Sequence, residues 1–344
     1  MTIACASGTG DPGLAAKVAF LSRPESYAEP SRTVVTVETH MSWVFLLDQH
    51  AYKLKKPVRL PYLDFSTEAL RRAACTDEVR LNRRLASDVY LAAVPLTFTA
   101  GHALAIEGAG RIVDWLVRMR RLPAERMLDR MIAARTLTAD DVGRVVRRLA
   151  AFYRACAPIP TSAEAYLQRF AAGIGENLRE LARPAYGLAA ADVEDLCERQ
   201  RAALDRHADA LAARARAGRI VEAHGDLRPE HVCIEAEPQV IDCLEFSLDL
   251  RSLDPVDELG FLTLECERLA AGWVHARVFA AFAEATADTP SPALVAFYQS
   301  YRAAIRAKIA AWHLNDDGIH APAKWTARAA DYIALARAKI AACG

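Results

Sequence analysis

Apolar and polar residues alternate over Thr33–Thr39, Trp43–Leu47 and Ala51–Lys55, the period of strands with one covered face. Asp48-Gln-His50 reads as a turn and Pro57 stops the third run, so the three predict an antiparallel meander. A short helix is predicted over residues 14–22. Ser66 is placed to cap a helix reaching about Ala86, with Leu70, Ala74, Leu81 and Leu85 as its apolar face. Glu78 falls on that face and needs a partner if buried; Asp77 points elsewhere. Ala103–Ile106, Glu107–Gly110 and Arg111–Met119 read as a hairpin with a Gly-rich turn. Arg120-Arg-Leu-Pro123 follows as a stop. Residues 33–119 thus predict about five strands, with one helix after the third.

The pattern changes from Ala124. Segments 125–133, 138–156, 162–182 and 190–217 are Ala/Leu/Arg-rich with helical period, and so is 255–343. Strand signal returns only at Ile220–Glu222, Val232–Glu235 and Gln239–Asp242. This predicts an α+β chain of two lobes, a small β-rich one over 1–119 and a larger helical one over 120–344, with one short hairpin inside the latter.

Composition narrows the classes. The 344 residues carry 43 basic and 43 acidic side chains, which argues against a strongly basic nucleic-acid-binding surface. Val89–Ile106 is the most apolar stretch but is broken by Pro95, Gly101 and His102, a poor membrane span. Met1–Gly13 lacks the pattern of a signal peptide. Eight scattered cysteines without C-x-x-C read as reduced core residues, not a zinc site. A cytoplasmic location is expected. Only seven of the 43 basic residues are Lys, and three of them are Lys53, Lys55 and Lys56. An Arg-rich chain keeps a compact ammonium here, which Arg's planar fork does not reproduce.

The strongest chemical signal is His224-Gly-Asp-Leu-Arg-Pro-Glu-His231, on a loop before the hairpin Val232–Asp242, which turns at Ala236-Glu-Pro238. The hairpin brings its ends together, so Asp226 and Asp242 can face one site. One carboxylate can orient a hydroxyl while the other holds Mg²⁺, the division of labour phosphoryl transfer needs.

His224-Gly-Asp226 followed by Ile241-Asp242 resembles the aminoglycoside phosphotransferase and choline kinase-like enzymes, small-molecule relatives of the protein kinases. The loop is similar to the kinase catalytic loop H-R-D-L-K-P-E-N, with Gly225 for Arg, Arg228 for Lys and His231 for Asn. Asp254-Pro-Val-Asp257 also looks like that family. Thr39–Phe45, Tyr52–Pro57 and Tyr301–Lys308 resemble a bacterial subfamily of uncharacterised members. The resemblance spans roughly residues 30–315.

It implies a bilobal protein-kinase-like fold with a hinge near Met119–Leu122, ATP and Mg²⁺ as cofactors, and roles residue by residue. Asp226 would be the catalytic base and Asp242 the Mg²⁺ ligand, and a strand Lys paired with Glu78 would hold the α/β-phosphates. The kinase pattern A-x-K fits Ala51-Tyr-Lys53. Lys55, before Pro57, is the runner-up. Arg228 could neutralise the γ-phosphate. His231 stands where Asn completes a second metal site. Imidazole suits Mg²⁺ poorly, so Glu245 or Glu230 could supply an oxygen instead, or the site runs on one metal.

Other features have plainer readings. Gly8–Gly13 spells G-x-G-x-x-G, but no strand precedes it and Pro12 interrupts it, so it reads as a loop. His40-Met-Ser42 lacks Gly, though Ser42 could touch phosphates. His224 reads as loop-orienting, Asp254 and Asp257 as caps or braces, and Arg302 and Arg306 as a solvated helix face, with anionic-substrate binding as the alternative. The expected function is ATP- and Mg²⁺-dependent phosphoryl transfer to a hydroxyl of a small molecule. A pseudokinase-type regulator and a kinase for protein side chains are the alternatives. The acceptor and the oligomeric state are not specified by the sequence.

Overall fold

The computed structural model describes residues 11–60, 63–99, 101, 103–315 and 321–343. Chain order begins α1 (Leu14–Leu21), β1 (Val35–Glu38), β2 (Ser42–Leu46), β3 (His50–Lys55), β4 (Arg59–Leu60) and β5 (Leu63–Asp64). It continues with α2 (Glu68–Asn82), β6 (Tyr90–Phe98), β7 (Leu104–Ile106) and β8 (Arg111–Arg120). Then come α3 (Leu128–Ala133), α4 (Ala139–Ala155), α5 (Ala163–Leu181), α6 (Ala190–Arg206) and α7 (Ala208–Arg216). After β9 (Val221–Glu222), β10 (Val232–Cys233) and β11 (Gln239–Val240) follow α8 (Leu248–Arg251) and β12 (Ser252–Leu253). The chain closes with α9 (Pro255–Arg268), α10 (Trp273–Thr286), α11 (Pro292–Trp312) and α12 (Pro322–Ala341).

Two compact units result. One takes in the described residues up to Arg130 together with Glu230–Leu250; the other takes in Met131–Pro229 and the described residues from Arg251. The first is built on an antiparallel six-stranded sheet ordered β1-β2-β3-β8-β6-β7. Alternation along β3 decides its faces. Tyr52 and Leu54 join Leu21, Phe45, Leu96 and Leu116 in one apolar cluster. Ala51 joins Cys75 and Val79 of α2, Tyr90, Val117 and Met119 in the other. Lys53 and Lys55 are in phase with Ala51, so both ammonium groups stand on the α2 side. Asp114 of β8 ties both helices to the sheet. It accepts from Lys17 of α1 at 2.7 Å and from Arg71 of α2 at 2.7 and 3.1 Å.

Three expectations for this unit change. The cap of α2 is Thr67, whose side chain accepts from Leu70 N; Ser66 instead donates to Asp64. The covered face of α2 is Arg71, Cys75, Glu78, Val79, Leu81 and Asn82; Leu81 and, beyond the helix, Leu85 are buried as expected, but Leu70 is 41% exposed. Leu104–Ile106 does not pair with Arg111–Arg120. It pairs with β6, and β8 lies between β6 and β3. The apolar run Tyr90–Phe98 is therefore a strand in its own right. Pro95, which has no N–H to give, sits beside a register shift at Leu96/Thr97. The hairpin within 232–242 forms with Val232 opposite Val240 and Cys233 opposite Gln239.

The second unit is helical around aromatic packing, with Phe170 touching Tyr166, Phe297, Tyr298 and Tyr301 at ring distances of 5.0–5.8 Å. The helical run at 190–217 breaks at His207 into α6 and α7. A two-residue ladder missing from the sequence pattern, β12 on β9, frames the chain before His224. Among the described residues no helix is long and apolar enough to cross a membrane, and seven cysteines are free thiols. Gly8, Thr9 and Gly10 of the Gly-rich stretch lie outside the described residues, as do Ala100 and His102 of the apolar stretch.

Candidate active site

In the first unit, β3, α2 and the segment after β11 converge on one charge network. Lys53 Nζ donates to Glu78 Oε1 at 2.9 Å and to Asp242 Oδ1 at 2.7 Å. Lys55 Nζ donates to Glu78 Oε2 at 2.5 Å and to Glu245 Oε1 at 2.5 Å. The two lysines bracket one carboxylate, and the chain runs Asp242–Lys53–Glu78–Lys55–Glu245. Glu78 and Lys55 are buried, while the Asp242 side chain is 44% exposed. Three carboxylates against two ammonium groups leave one negative charge in excess, with Asp242 at the solvent end.

Burial pushes the Glu78 carboxyl up, but Lys53 and Lys55 outweigh it and hold it below the usual value of 4.5. For Lys53 burial pulls downward, and Asp242 and then Glu78 reverse this, so the ammonium is held well above its ordinary range. Both groups are therefore charged at neutral pH.

Asp242 sits at a left-handed φ of +61°, a conformation that costs a residue with a side chain about 1 kcal/mol or more. Two neighbours fix it there. The Asp242 amide donates to Tyr90 Oη at 3.0 Å, and the Cys243 amide to Asn82 Oδ1 at 2.9 Å. Asn82 in turn donates to the Glu78 carbonyl one turn earlier in α2. The helix carrying Glu78 thus also sets the backbone of Asp242. His231 is buried with Nε2 3.5 Å from Asp242 Oδ2, and its carbonyl accepts from Ile241 N at 2.9 Å. Among the described residues no three His, Cys, Asp or Glu side chains gather as a metal cage. Of the two, only the Asp242 carboxylate is a hard ligand, and a single carboxylate fits a cation that takes most of its ligands from substrate and water, as Mg²⁺ does.

Other assigned residues have clear places. Ala51 lies opposite Met119 in the ladder, and both share an apolar cluster with Leu46, Leu122 and Ile241. Ser42 is buried, and its amide donates to Thr39 Oγ1 at 3.0 Å. Lys56 is drawn away to Glu38 and the Thr39 carbonyl. Glu245, a candidate oxygen donor, pairs with buried Lys55.

The second unit holds the His224-Gly-Asp226 loop on a buried carboxylate. Glu258 Oε1 accepts from Gly225 N at 2.6 Å, and Oε2 accepts from His224 N at 3.2 Å and from Tyr153 Oη at 2.7 Å. Burial raises the Glu258 carboxyl, and the two amides and the phenol pull the other way. Gly225 turns at φ +93°, which explains a glycine at this step. His224 is buried, and its Nδ1 accepts from Asp226 N at 3.3 Å. Arg228 Nε donates to Asp226 Oδ2 at 3.1 Å. Asp254 caps α9 through Val256 N and is held by Arg214 and Tyr298.

The solvated-face reading of Arg302 and Arg306 is overturned. Arg302 is buried and pairs bidentately with Asp257 at 2.7 and 2.8 Å. Arg306 lies 3.6 Å from Glu265, with its guanidinium over the Tyr332 ring. Sequence reasoning also missed Glu258, Tyr90 and Asn82, whose partners lie too far along the chain for any local pattern to show them.

The fold is of the protein-kinase-like phosphotransferase class. Residues 49–300 match the family described as the phosphotransferase enzyme family, APH, and the chain belongs to that family. It is 32% identical over 280 residues to uncharacterized proteins of Mycobacterium tuberculosis (strain ATCC 25618 / H37Rv) and Mycobacterium bovis, covering 79% of this chain and 53% of theirs. The chain spans about half the length of these curated relatives. Its fold is similar to choline kinase from Cryptosporidium parvum Iowa II, with TM-score 0.52 and 9% identity over 94% of this chain and 93% of that one. It is also similar to a thermostable mutant of aminoglycoside phosphotransferase APH(4)-Ia, with TM-score 0.51 and 11% identity over 90% and 95%.

Proposed function

We propose that the chain is an ATP- and Mg²⁺-dependent phosphotransferase that moves the γ-phosphate to a hydroxyl of a small molecule in the cytoplasm. The observation that carries this reading is Lys53, an ammonium shared between buried Glu78 and exposed Asp242. Family membership and the likeness of fold to choline kinase and an aminoglycoside phosphotransferase support the small-molecule class.

The proposed roles draw on this geometry. The apolar cluster of Leu46, Ala51, Met119, Leu122 and Ile241 receives the base. Lys53 turns from Asp242 to the α/β-phosphates, and Glu78 keeps it aimed. Asp242, with His231 beside it, would hold Mg²⁺, which would supply positive charge to offset that of the phosphates. Asp226 Oδ accepts the proton of the acceptor hydroxyl. Arg228, already on Asp226, balances charge on the γ-phosphate. Lys55 lies on the strand that carries Lys53, opposite Ser42 of β2. The His224–Asp226 loop belongs to the second unit and the proposed nucleotide groups to the first.

A nucleotide-binding regulator without turnover is the second reading. The Ser42 amide, already donated to Thr39, favours it, since a phosphate-covering loop works through free amides. A screen of hydroxyl acceptors by ATP consumption tests the proposal, with Asp226→Asn as control. Acceptor-dependent consumption that vanishes in Asp226→Asn is expected. Consumption that persists in that variant, or nucleotide binding with no consumption for any acceptor class, contradicts it.

A further inference from the structure

Lys55 has no role in the nucleotide chemistry just described, yet it is the most deeply buried cation of the network. It is 1% exposed and makes two 2.5 Å bonds, one to Glu78 and one to Glu245. Its ammonium also lies 4.9 Å from the centre of the Phe65 ring. Isolated burial of an ammonium costs several kcal/mol, so a chain that keeps one here needs both partners. Glu245 lies three residues beyond Asp242, and the segment Asp242–Glu245 has neither helix nor strand. The segment must be held by discrete bonds. Tyr90 and Asn82 hold its start, and the Lys55–Glu245 pair holds its far end.

The arrangement solves a problem of charge exchange. When Lys53 turns from Asp242 to phosphate, it divides its charge between Glu78 and the nucleotide. With one lysine alone, a fully buried carboxylate would then be under-paired. Here Lys55 stays on Glu78 throughout, because its position is closed to solvent.

We propose that Lys55 and Glu245 are positioning residues for the metal-holding segment, a second lysine–glutamate pair that fixes Asp242 while Lys53 moves to the nucleotide. This rests on the reading of Asp242 as the Mg²⁺ ligand. Partners that orient a metal ligand typically change metal affinity by about 10- to 100-fold when removed.

The test is calorimetric titration of ATP with Mg²⁺ and with EDTA into the wild type, Asp242→Ala, Glu245→Gln, Lys55→Met and the Lys55→Met/Glu245→Gln double variant. Glu245→Gln keeps the side chain's shape and is the milder change, so it decides the matter if Lys55→Met does not fold. The expected result is a loss of about tenfold in the Mg²⁺ enhancement of ATP binding for Glu245→Gln and Lys55→Met. ATP affinity in EDTA should stay nearly constant, and the double variant should be no worse than Lys55→Met alone, since the two act as one pair. An equal fall with and without Mg²⁺ marks a merely structural pair and overturns the proposal, as does an unchanged Mg²⁺ enhancement in Glu245→Gln. If Asp242→Ala loses the enhancement while both pair variants keep it, the reading of Asp242 stands and the positioning role falls. If Asp242→Ala keeps it, both fall.

Discussion

The two units hold their candidate residues by different physics. In the first unit, Lys53, Lys55, Glu78, Asp242 and Glu245 are one another's partners, side chain to side chain. In the second, Asp226 stands on a loop whose backbone amides are fixed by one buried carboxylate, Glu258. A salt-bridge network can exchange partners at modest cost when a charged ligand arrives, because each ammonium keeps a carboxylate or gains a phosphate. A loop pinned through its amides does not re-pair in this way and is pre-organised. On the proposed reading, the contrast assigns adaptation to the Lys53 network and rigidity to Asp226.

That contrast can be broken in several places. The largest effect is expected for Glu258→Ala, which strips partners from the amides of His224 and Gly225 and from Tyr153 Oη. A loss of about 3 kcal/mol or more in chemical denaturation follows from unpaired buried donors. A variant as stable as the wild type would show that the loop does not depend on Glu258. Lys53→Met should weaken ATP binding by about 10- to 100-fold, the scale of a charge-assisted bond; unchanged affinity by calorimetry would move the phosphate contact to another residue.

Next comes acid stability. Glu78 is held below its usual value of 4.5 because Lys53 and Lys55 outweigh burial. A lowered folded value gives stability that is complete above about 4.5 and lost as pH falls through the folded value. Glu78→Gln should therefore flatten the acid limb of denaturation midpoint against pH. An acid limb that keeps its slope in this variant contradicts the pairing. The smallest effect belongs to His231→Asn. With Asp242 and the phosphates already supplying hard oxygens, Mg²⁺-dependent turnover should change by no more than roughly threefold, or about 0.7 kcal/mol. A gain of Mg²⁺ activity well beyond that would mean His231 restrains a second metal site.

Much of the first unit could be read from alternation alone. Period-two spacing put Lys53 and Lys55 on one face of β3, and helical period put Glu78 among covered positions of α2. The hairpin at 232–242 followed from its apolar runs and Pro238. What failed shares one cause: the deciding partner was remote. Leu104–Ile106 and Arg111–Arg120 are neighbours in sequence, and nothing local shows that β6 pairs with both. Arg302 has the periodicity of a solvated position, and only Asp257, 45 residues away, makes its burial tolerable. Leu70 looked like core, but Arg71 took the buried place because Asp114 and the Phe65 carbonyl satisfy it. Glu258 carries no motif of its own beyond Asp257, and its value lies in amides more than 30 residues earlier.

The central claim is that nucleotide binding and proton acceptance are separate tasks, carried by Asp242 and Asp226 respectively. Measuring ATP·Mg²⁺ affinity and acceptor-dependent ATP consumption on the same preparations of Asp242→Ala and Asp226→Asn tests it most directly. The account predicts that Asp242→Ala loses the Mg²⁺-dependent affinity, while Asp226→Asn binds ATP·Mg²⁺ like the wild type and loses turnover by about 10²-fold or more. Weakened ATP·Mg²⁺ binding in Asp226→Asn, or near-normal turnover in it, would contradict the account.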